Sequence, residues 1–229
     1  MPIATVSKMT SWSFSRWSDY QQCPLKAKLK HIDKIKEPGS PAMDRGTAIH
    51  KLAEDFTLQT IKKLPEELKA FKDEFMHLKK QGAIVEENWG FTRAWEPCAW
   101  DDWNNCWLRV KLDACYLDAD DYLVVIDHKT GKVNEDHLVQ LSLYALVGMI
   151  MFPDCKGVKS RLWYLDQGIE VGEGAGDYER KQLPALQKEW EKNVKAMFSD
   201  TKFAPRAGGK CRWCYFSSSN PAQTGKCPN

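Results

Sequence analysis

The alternation of hydrophobic and polar residues predicts a block of strands in the middle of the chain. Residues 106–116 alternate apolar and polar side chains, and residues 122–126 form a β-branched run (YLVVI). The sequence DADD at 118–121 is typical of a turn, so the two segments predict a β-hairpin. A further strand is predicted before the hairpin, at 83–91, and another after it, at 157–166.

Helical periodicity flanks and interrupts this block. We predict helices at 13–35, 44–56, 65–80, 134–149 and 183–198. Asn134 is the predicted N-cap of the fourth helix, with Glu135 and Asp136 in its first turn. In the third, Leu68, Phe71, Phe75 and Leu78 are the predicted buried face, and Gly82 is the C-cap signal.

Candidate chemistry lies at the end of the predicted hairpin. Asp127 and Lys129 project from one face of the second strand, because side chains alternate with a period of two. Asp113 lies on the polar face of the first strand, within cross-strand reach. Two neighbouring carboxylates repel each other unless a cation lies between them, and hard oxygen ligands suit Mg²⁺ or Mn²⁺. The alternative is that these groups are solvated charges at strand ends.

Three further residues lie near this chemistry in the predicted layout. Gln140 and Tyr144 are four residues apart, so they share one face of the fourth helix. His50 falls at the edge of the apolar stripe of the second helix, where it is either packed or a metal ligand. His128, by contrast, alternates with Asp127 and Lys129 and is expected to point away from the site.

Four motifs resemble those of the PD-(D/E)xK nucleases of the RecB-like subgroup. They are RGTAIH at 45–50, KLD ending at Asp113, IDHKTGK at 126–132 and QLSLY at 140–144. The resemblance implies an α/β fold with the PD-(D/E)xK core, a mixed central sheet flanked by helices. It also implies that His50, Asp113 and Asp127 bind metal and that Lys129 is catalytic. Gln140 and Tyr144 are then expected to assist DNA binding near the cleavage centre.

The cysteines predict a second metal centre. Eight cysteines in a chain without a signal peptide or a long apolar span indicate reduced thiols in the cytosol, of a bacterium or a phage-infected host. Cys211 and Cys214 form a CxxC pair, and Cys227 follows after twelve residues. Cys23, next to Pro24, is the candidate fourth ligand. Four thiolates suit either a [4Fe–4S] cluster or a structural Zn²⁺ ion.

The chain ends resemble those RecB-like nucleases that carry an iron-sulfur cluster, such as the AddB-type and CRISPR-associated exonucleases. The similar segments are 13–28 and 209–216, although the gap between Cys214 and Cys227 is longer than that family usually shows. The resemblance implies a structural [4Fe–4S] cluster. We therefore expect a single nuclease domain over 1–229, in which 14–36 and 203–229 form a cluster subdomain and 42–200 form the core.

Composition adds little, because a net charge of +2 with 43% hydrophobic and 28% charged residues is ordinary for a globular chain. Basic residues do concentrate near Cys23 and the CxxC pair, where together they could hold phosphates. They are Lys26, Lys28, Lys30, Lys34, Lys36, Lys202, Arg206, Lys210 and Arg212.

The expected function is that of a Mg²⁺- or Mn²⁺-dependent deoxyribonuclease. We expect an exonuclease that acts on single strands or DNA ends in recombination, repair or phage DNA metabolism. Because the sequence has no helicase motifs, the nuclease would need a helicase or a recombination protein as partner. Relatives of this family form rings, so a homo-oligomer is also considered. No membrane partner is expected. Two alternatives stay open: a non-cleaving DNA-binding module with a zinc-stabilised cysteine tail, and a sequence- or structure-specific endonuclease.

Overall fold

The structure, a computed structural model, describes residues 8–134, 137–220 and 227. The chain divides into two compact units. One comprises Met1–Pro38 with Trp190–Asn229, and the other comprises Gly39–Glu189. No helix in the described ranges combines the length and the apolar character that crossing a bilayer requires.

Regular elements occur in both units. The helices are α1 Phe14–Gln22, α2 Pro24–Ala27, α3 Pro41–Thr57, α4 Lys72–Gln81, α5 Leu138–Met151 and α6 Leu183–Ser199. The strands are β1 Ile84–Val85, β2 Asn88–Phe91, β3 Pro97–Cys98, β4 Leu108–Lys111, β5 Ala114–Leu117, β6 Tyr122–Lys129, β7 Gly157–Tyr164, β8 Ile169–Val171 and β9 Asp177–Glu179. A π-helical turn spans Lys28–Ile32, and 3₁₀ turns span Glu66–Phe71, Arg180–Gln182 and Gly209–Trp213.

The unit Gly39–Glu189 is built on a mixed six-stranded sheet. Its strand order is β1-β5-β6-β7-β8, with β9 also paired to β7. β6 and β7 are parallel over their whole length, from Tyr122 opposite Gly157 to Lys129 opposite Tyr164, and the other pairs are antiparallel. A parallel pair requires a crossover, which α5 provides. The predicted α/β fold, a mixed central sheet flanked by helices, is confirmed.

The predicted first strand of the hairpin is interrupted. Residues 106–116 form two strands, because β4 pairs with β2 in a separate three-stranded sheet whereas β5 pairs with β6 in the main sheet. Leu112 and Asp113 make the step between the two sheets. The prediction of one continuous strand was therefore wrong, and residues 83–91 are divided in the same way into β1 and β2.

Helix α5 is buried along most of its length. All ten residues from Gln140 to Met149 are buried, which explains its apolar sequence. Gly148 allows close approach to the sheet, because a Cβ there would lie 2.9 Å from Leu123 Cδ2. The helix begins at Leu138 after the N-cap His137, so Asn134 is not its N-cap; Glu135 and Asp136 lie outside the described residues.

Helices α3 and α4 pack on the main sheet. One buried cluster joins the two helices to the sheet. It contains Ile49, Ala53 and Phe56 of α3, the predicted buried face of the third helix, and Ile126 and Trp163 of the sheet. That predicted face, Leu68, Phe71, Phe75 and Leu78, is confirmed, although its first turns are 3₁₀ rather than α. Gly82 caps α4 in the left-handed conformation, with φ of 63°.

The unit formed by the two chain ends has an aromatic core. Trp12 stacks on Trp190 with ring centroids 5.4 Å apart, and Trp17 meets Trp190 edge-on at 5.2 Å. The N–H of the Trp17 indole donates to the backbone carbonyl of Asn193. These contacts join segments far apart in sequence, which periodicity alone does not specify.

Candidate functional site

The alternation of β6 directs Asp127 and Lys129 toward α5. The Tyr144 hydroxyl donates to Oδ1 of Asp127 at 2.7 Å, and Nε2 of Gln140 donates to the Tyr144 hydroxyl oxygen at 2.6 Å. Because Gln140 and Tyr144 are one helical turn apart, both reach the same strand. The structure thus brings these four predicted site residues together.

Lys129 closes this arrangement into a ring. Its Nζ donates to Oε1 of Gln140 at 3.0 Å and lies 2.5 Å from Oδ2 of Asp127. The second contact is an ion pair, and among the described residues Oδ2 accepts no hydrogen bond in addition to it. A buried carboxylate oxygen of this kind is suited to a metal ion.

Burial keeps the tyrosine of the ring protonated. Loss of solvent raises the pKa of Tyr144 well above 10, and the negative charges of Asp127 and Asp113 raise it further. Tyr144 therefore acts as a hydrogen-bond donor to Asp127 at neutral pH.

Asp113 connects this ring to the other face of the sheet. Its Oδ1 lies 3.1 Å from Nδ1 of His50, and its Oδ2 accepts the backbone N–H of His128 at 2.6 Å. Asp113 lies between β4 and β5, and from there its carboxylate reaches both α3 and β6.

Electrostatics favour an ion pair at Asp113. Burial by itself would raise the pKa of this carboxyl, but the hydrogen bond from His50 and the nearby imidazoles lower it overall. The same hydrogen bond raises the pKa of His50, against the opposing effect of burial. A bound cation would take the place of the His50 proton in neutralising Asp113.

One group of possible metal-binding atoms includes a residue that was not expected to take part. Among the described residues, donor atoms of His50, Asp113 and His128 all lie within 4.8 Å of one another. His128 does point to the strand face opposite Asp127, as expected, but it is not remote from the site. Helix α3 places His50 on that same face, and the alternation of β6 gives no information about α3. Asp127 as a metal ligand stays a prediction.

A second residue absent from the sequence predictions is Asp166. Its carboxylate accepts two hydrogen bonds from Arg45 of α3, at 2.9 and 2.5 Å, and one from the N–H of Gly131, at 2.7 Å. It therefore holds the turn after Lys129 next to α3. Asp166 follows β7 and belongs to none of the four motifs, so only its spatial position reveals it.

The four predicted cysteine ligands belong to the unit of the chain ends. Cys23, Cys211 and Cys214 are partly buried and Cys227 is buried. No three of their sulfurs, within the part of the chain that is described, lie within 4.8 Å of one another. Cys227 nevertheless donates its N–H to the carbonyl of Phe216, which joins the two ends of the cysteine tail.

Backbone N–H groups point at several of these sulfurs. The N–H of Arg206 donates to Cys23 Sγ at 3.3 Å, and the N–H of Gly208 donates to Cys211 Sγ at 3.3 Å. Burial raises the pKa of the Cys214 thiol, while backbone N–H groups and Lys26 act in the opposite direction. N–H donors of this kind stabilise thiolates that bind metal.

The expected basic patch is largely neutralised near Cys23. Lys26 and Lys30 both form ion pairs with the buried Asp19, at 2.8 and 3.1 Å, and Lys28 pairs with Asp33 at 2.7 Å. These lysines hold the unit together more directly than they present charge to a polyanion.

Comparison with known proteins shows the family to which the chain belongs. The family model described as "PD-(D/E)XK nuclease superfamily" matches residues 11–219. No curated protein sequence matches the chain. A solved structure described as the crystal structure of SSO0001 is 14% identical, with a TM-score of 0.42, and the match covers 94% of this chain and 88% of that chain. The last likeness is too weak to bear on function.

Proposed function

Because the chain belongs to the PD-(D/E)XK nuclease superfamily, whose model matches most of its length, we propose that it is a metal-dependent deoxyribonuclease of the RecB-like type. We propose further that it is an exonuclease acting on single strands or DNA ends. The observation that carries this proposal is the ring of Asp127, Lys129, Gln140 and Tyr144, in which Oδ2 of Asp127 faces the Lys129 ammonium and accepts no hydrogen bond from the other described residues.

The residues present suit a divalent cation. His50, Asp113 and Asp127 would hold Mg²⁺ or Mn²⁺ once the Asp127 side chain moves toward the other two, because in the structure the three do not form a group within 4.8 Å. The chemistry of such an ion is to polarise the phosphate and lower the pKa of a bound water. Lys129 lies beside Asp127, where its ammonium group can orient the attacking water or stabilise negative charge on the phosphate. Gln140 positions Lys129, and Tyr144 positions Asp127, through the hydrogen bonds described above.

The role of these residues argues against a module that binds DNA without cutting it. Even when paired with His50 and Lys129, two buried carboxylates offer a polyanion no favourable contact, so a binding module would gain nothing from Asp113 and Asp127. With a cation bound, the same carboxylates become part of a site that attracts phosphate.

Cleavage of labelled oligonucleotides tests the proposal. We expect hydrolysis of linear single-stranded DNA with Mg²⁺ or Mn²⁺ and none with EDTA, and no cleavage of a circular single strand. Asp127→Asn should reduce cleavage at least about 100-fold, because the cation loses a ligand. Asp121→Asn is the matched control, since Asp121 is an exposed turn residue that forms an ion pair of 3.2 Å with Lys156.

The outcomes separate the alternatives. Cleavage of the circle would indicate an endonuclease, and DNA binding without cleavage under every metal condition would indicate a non-cleaving module. Normal cleavage by the Asp127→Asn variant would refute the site.

We propose in addition that Cys23, Cys211, Cys214 and Cys227 bind a [4Fe–4S] cluster that is structural. The N–H donors to Cys23 and Cys211, and the proximity of Cys214 to Lys26, support a thiolate site. Binding would tie the segment around Cys23 to the cysteine tail, so that metal binding contributes to folding. A structural Zn²⁺ ion is the alternative.

Metal analysis after oxygen-free purification distinguishes the two. We expect iron and inorganic sulfide in equal amounts, with broad visible absorbance that Cys214→Ser abolishes. Cys115→Ser is the matched control, because Cys115 is a buried cysteine of the other unit. One zinc per chain with no iron would contradict the cluster.

A further inference from the structure

His128 carries a buried nitrogen that the proposed mechanism does not use. Its side chain is 5% exposed, and its ring packs against Phe75 and Trp163 with centroids 5.3 and 5.6 Å away. Within the described residues, Nε2 has no hydrogen-bond partner. An unsatisfied buried polar atom costs about 1–3 kcal/mol, so its retention in an otherwise apolar contact requires an explanation.

Two other possible metal ligands, His50 and Asp113, lie close to His128 and explain why a histidine is present there. The rings of His50 and His128 have centroids 6.0 Å apart, and donor atoms of both lie within 4.8 Å of a carboxylate oxygen of Asp113. In a tetrahedral site with bonds of about 2.1 Å, ligand atoms are about 3.4 Å apart. His50 is partly exposed and can rotate to tighten the group, whereas His128 is held by packing and Asp113 by the backbone N–H of His128.

We infer that His50, Asp113 and His128 form a second metal site, which binds a late transition metal such as Zn²⁺ or Co²⁺ on the face of β6 opposite Asp127 and Lys129. Filling this site withholds His50 and Asp113 from the catalytic cation and so inhibits cleavage. The inhibitory consequence rests on the proposed function, whereas the metal site itself does not.

The donor set determines which metals the site prefers. Two imidazole nitrogens and one carboxylate oxygen match the ligands of three-residue zinc sites, which keep a fourth position for water. For nitrogen ligands the affinity rises from Mn²⁺ toward Co²⁺ and Zn²⁺, and Mg²⁺ prefers oxygen ligands. On the opposite face Asp127 adds a carboxylate in place of the second imidazole, which favours the harder ions. The two faces of β6 therefore differ in metal preference while sharing two ligands.

Metal binding without DNA tests the site directly. The whole chain, with its cysteine site left as purified, is titrated with Co²⁺ while the visible absorption of the cobalt is recorded. Thiolate-to-cobalt charge-transfer bands report the cysteines and are excluded from the signal. We expect His128→Phe, which keeps an aromatic ring against Phe75 and Trp163, to weaken the remaining Co²⁺ affinity at least tenfold.

Two controls make this result specific. His77→Phe alters an exposed histidine of α4 and should leave Co²⁺ affinity within about twofold of the wild type. Asp127→Asn should weaken Co²⁺ affinity less than His128→Phe does, because Asp127 lies on the other strand face and contributes only to the proposed catalytic site. His128→Leu is a second variant in case the phenylalanine does not fit, and circular dichroism checks that each variant is folded.

Inhibition is measured as a second readout. At a fixed Mn²⁺ concentration, the Zn²⁺ concentration that halves cleavage should be at least tenfold higher for His128→Phe than for the wild type. The site is overturned if the wild type binds no Co²⁺ outside the cysteines, or if both folded His128 variants bind it as the wild type does. If Co²⁺ binding depends on His128 but zinc inhibition does not, the inhibitory role is refuted. A chain that never cleaves DNA still gives the Co²⁺ result, so failure of the proposed function is distinguished from failure of this site.

Discussion

At the scale of single residues, the orientation of the Asp113 carboxylate is set by its hydrogen-bond partners. One oxygen faces His50 and the other accepts the N–H of His128, so the carboxylate is held in a fixed orientation before any cation binds. Such preorganisation reduces the cost of binding an ion. Asp127 is oriented in the same manner, by Tyr144 on one oxygen and Lys129 beside the other.

Removing the ammonium group of Lys129 should abolish most activity without unfolding the protein. We expect Lys129→Ala to reduce kcat at least about 100-fold, because charge on the phosphate loses its stabilising partner. Steady-state cleavage of a labelled single strand measures the effect. Lys156→Ala removes an exposed lysine of the same unit and should leave kcat unchanged. A loss of similar size in both variants would contradict the role of Lys129.

Removing the hydroxyl of Tyr144 should affect stability. Tyr144→Phe leaves Oδ1 of Asp127 without its donor at 2.7 Å, and a buried acceptor without a partner costs about 1–3 kcal/mol. We expect the free energy of unfolding in urea to fall by about that amount. Tyr122→Phe is the control, since its hydroxyl contacts Glu179 at an exposed position and should cost less than about 0.5 kcal/mol. Equal losses of unfolding free energy in the two variants would contradict a stabilising role for the hydrogen bond to Asp127.

At the scale of elements, the hydrophobic pattern was sufficient wherever one element packs on one surface. It predicted the buried face that runs from Leu68 to Leu78, and the strand at 157–166. It failed at 106–116, where alternation continues across a change of sheet. The step at Leu112 and Asp113 depends on which partner strand each half finds, and a period of two is the same in either sheet.

The pairing of β9 with β7 should be sensitive to one added methyl group. A Cβ at Gly157 would lie 2.2 Å from the backbone oxygen of Tyr178, which cannot move without breaking the ladder. We expect Gly157→Ala to lower the free energy of unfolding by about 1–3 kcal/mol through overpacking. Hydrogen exchange should show faster exchange in β9. Gly39→Ala, whose Cβ would meet nothing closer than 3.8 Å, should show neither effect.

At the scale of the whole molecule, the two compact units have different chemistry. The unit Gly39–Glu189 contains every predicted catalytic residue, and the other contains every predicted cysteine ligand. In the unit of the chain ends the buried carboxylate of Asp19 contacts Lys26, Lys30 and His31 within 3.1 Å. Burial would raise the pKa of Asp19, but the hydrogen bonds from His31 and Lys26 and the charges of the lysines lower it strongly overall.

This carboxylate should make the stability of its unit depend on pH. A lowered pKa in the folded state means that the contribution of Asp19 is fully present above its unfolded pKa of about 3.9 and is lost as the pH falls toward the folded value. We expect Asp19→Asn to lower Tm at pH 7, with the difference from the wild type shrinking below about pH 4. Thermal unfolding across this range measures it. Asp33→Asn, which alters a more exposed pair with Lys28, should show a smaller effect, and a constant gap for Asp19→Asn would contradict the prediction.

The sequence by itself determined the order of the elements, the α/β fold and the strand face shared by Asp127 and Lys129, because these follow from local periodicity. It also placed Gln140 and Tyr144 one helical turn apart. Only the tertiary structure decided that Asp113 lies at a step between two sheets, and that His128 joins His50 and Asp113. Those positions depend on how α3 packs against β6, and contacts between segments far apart in sequence leave no periodic signal in either segment.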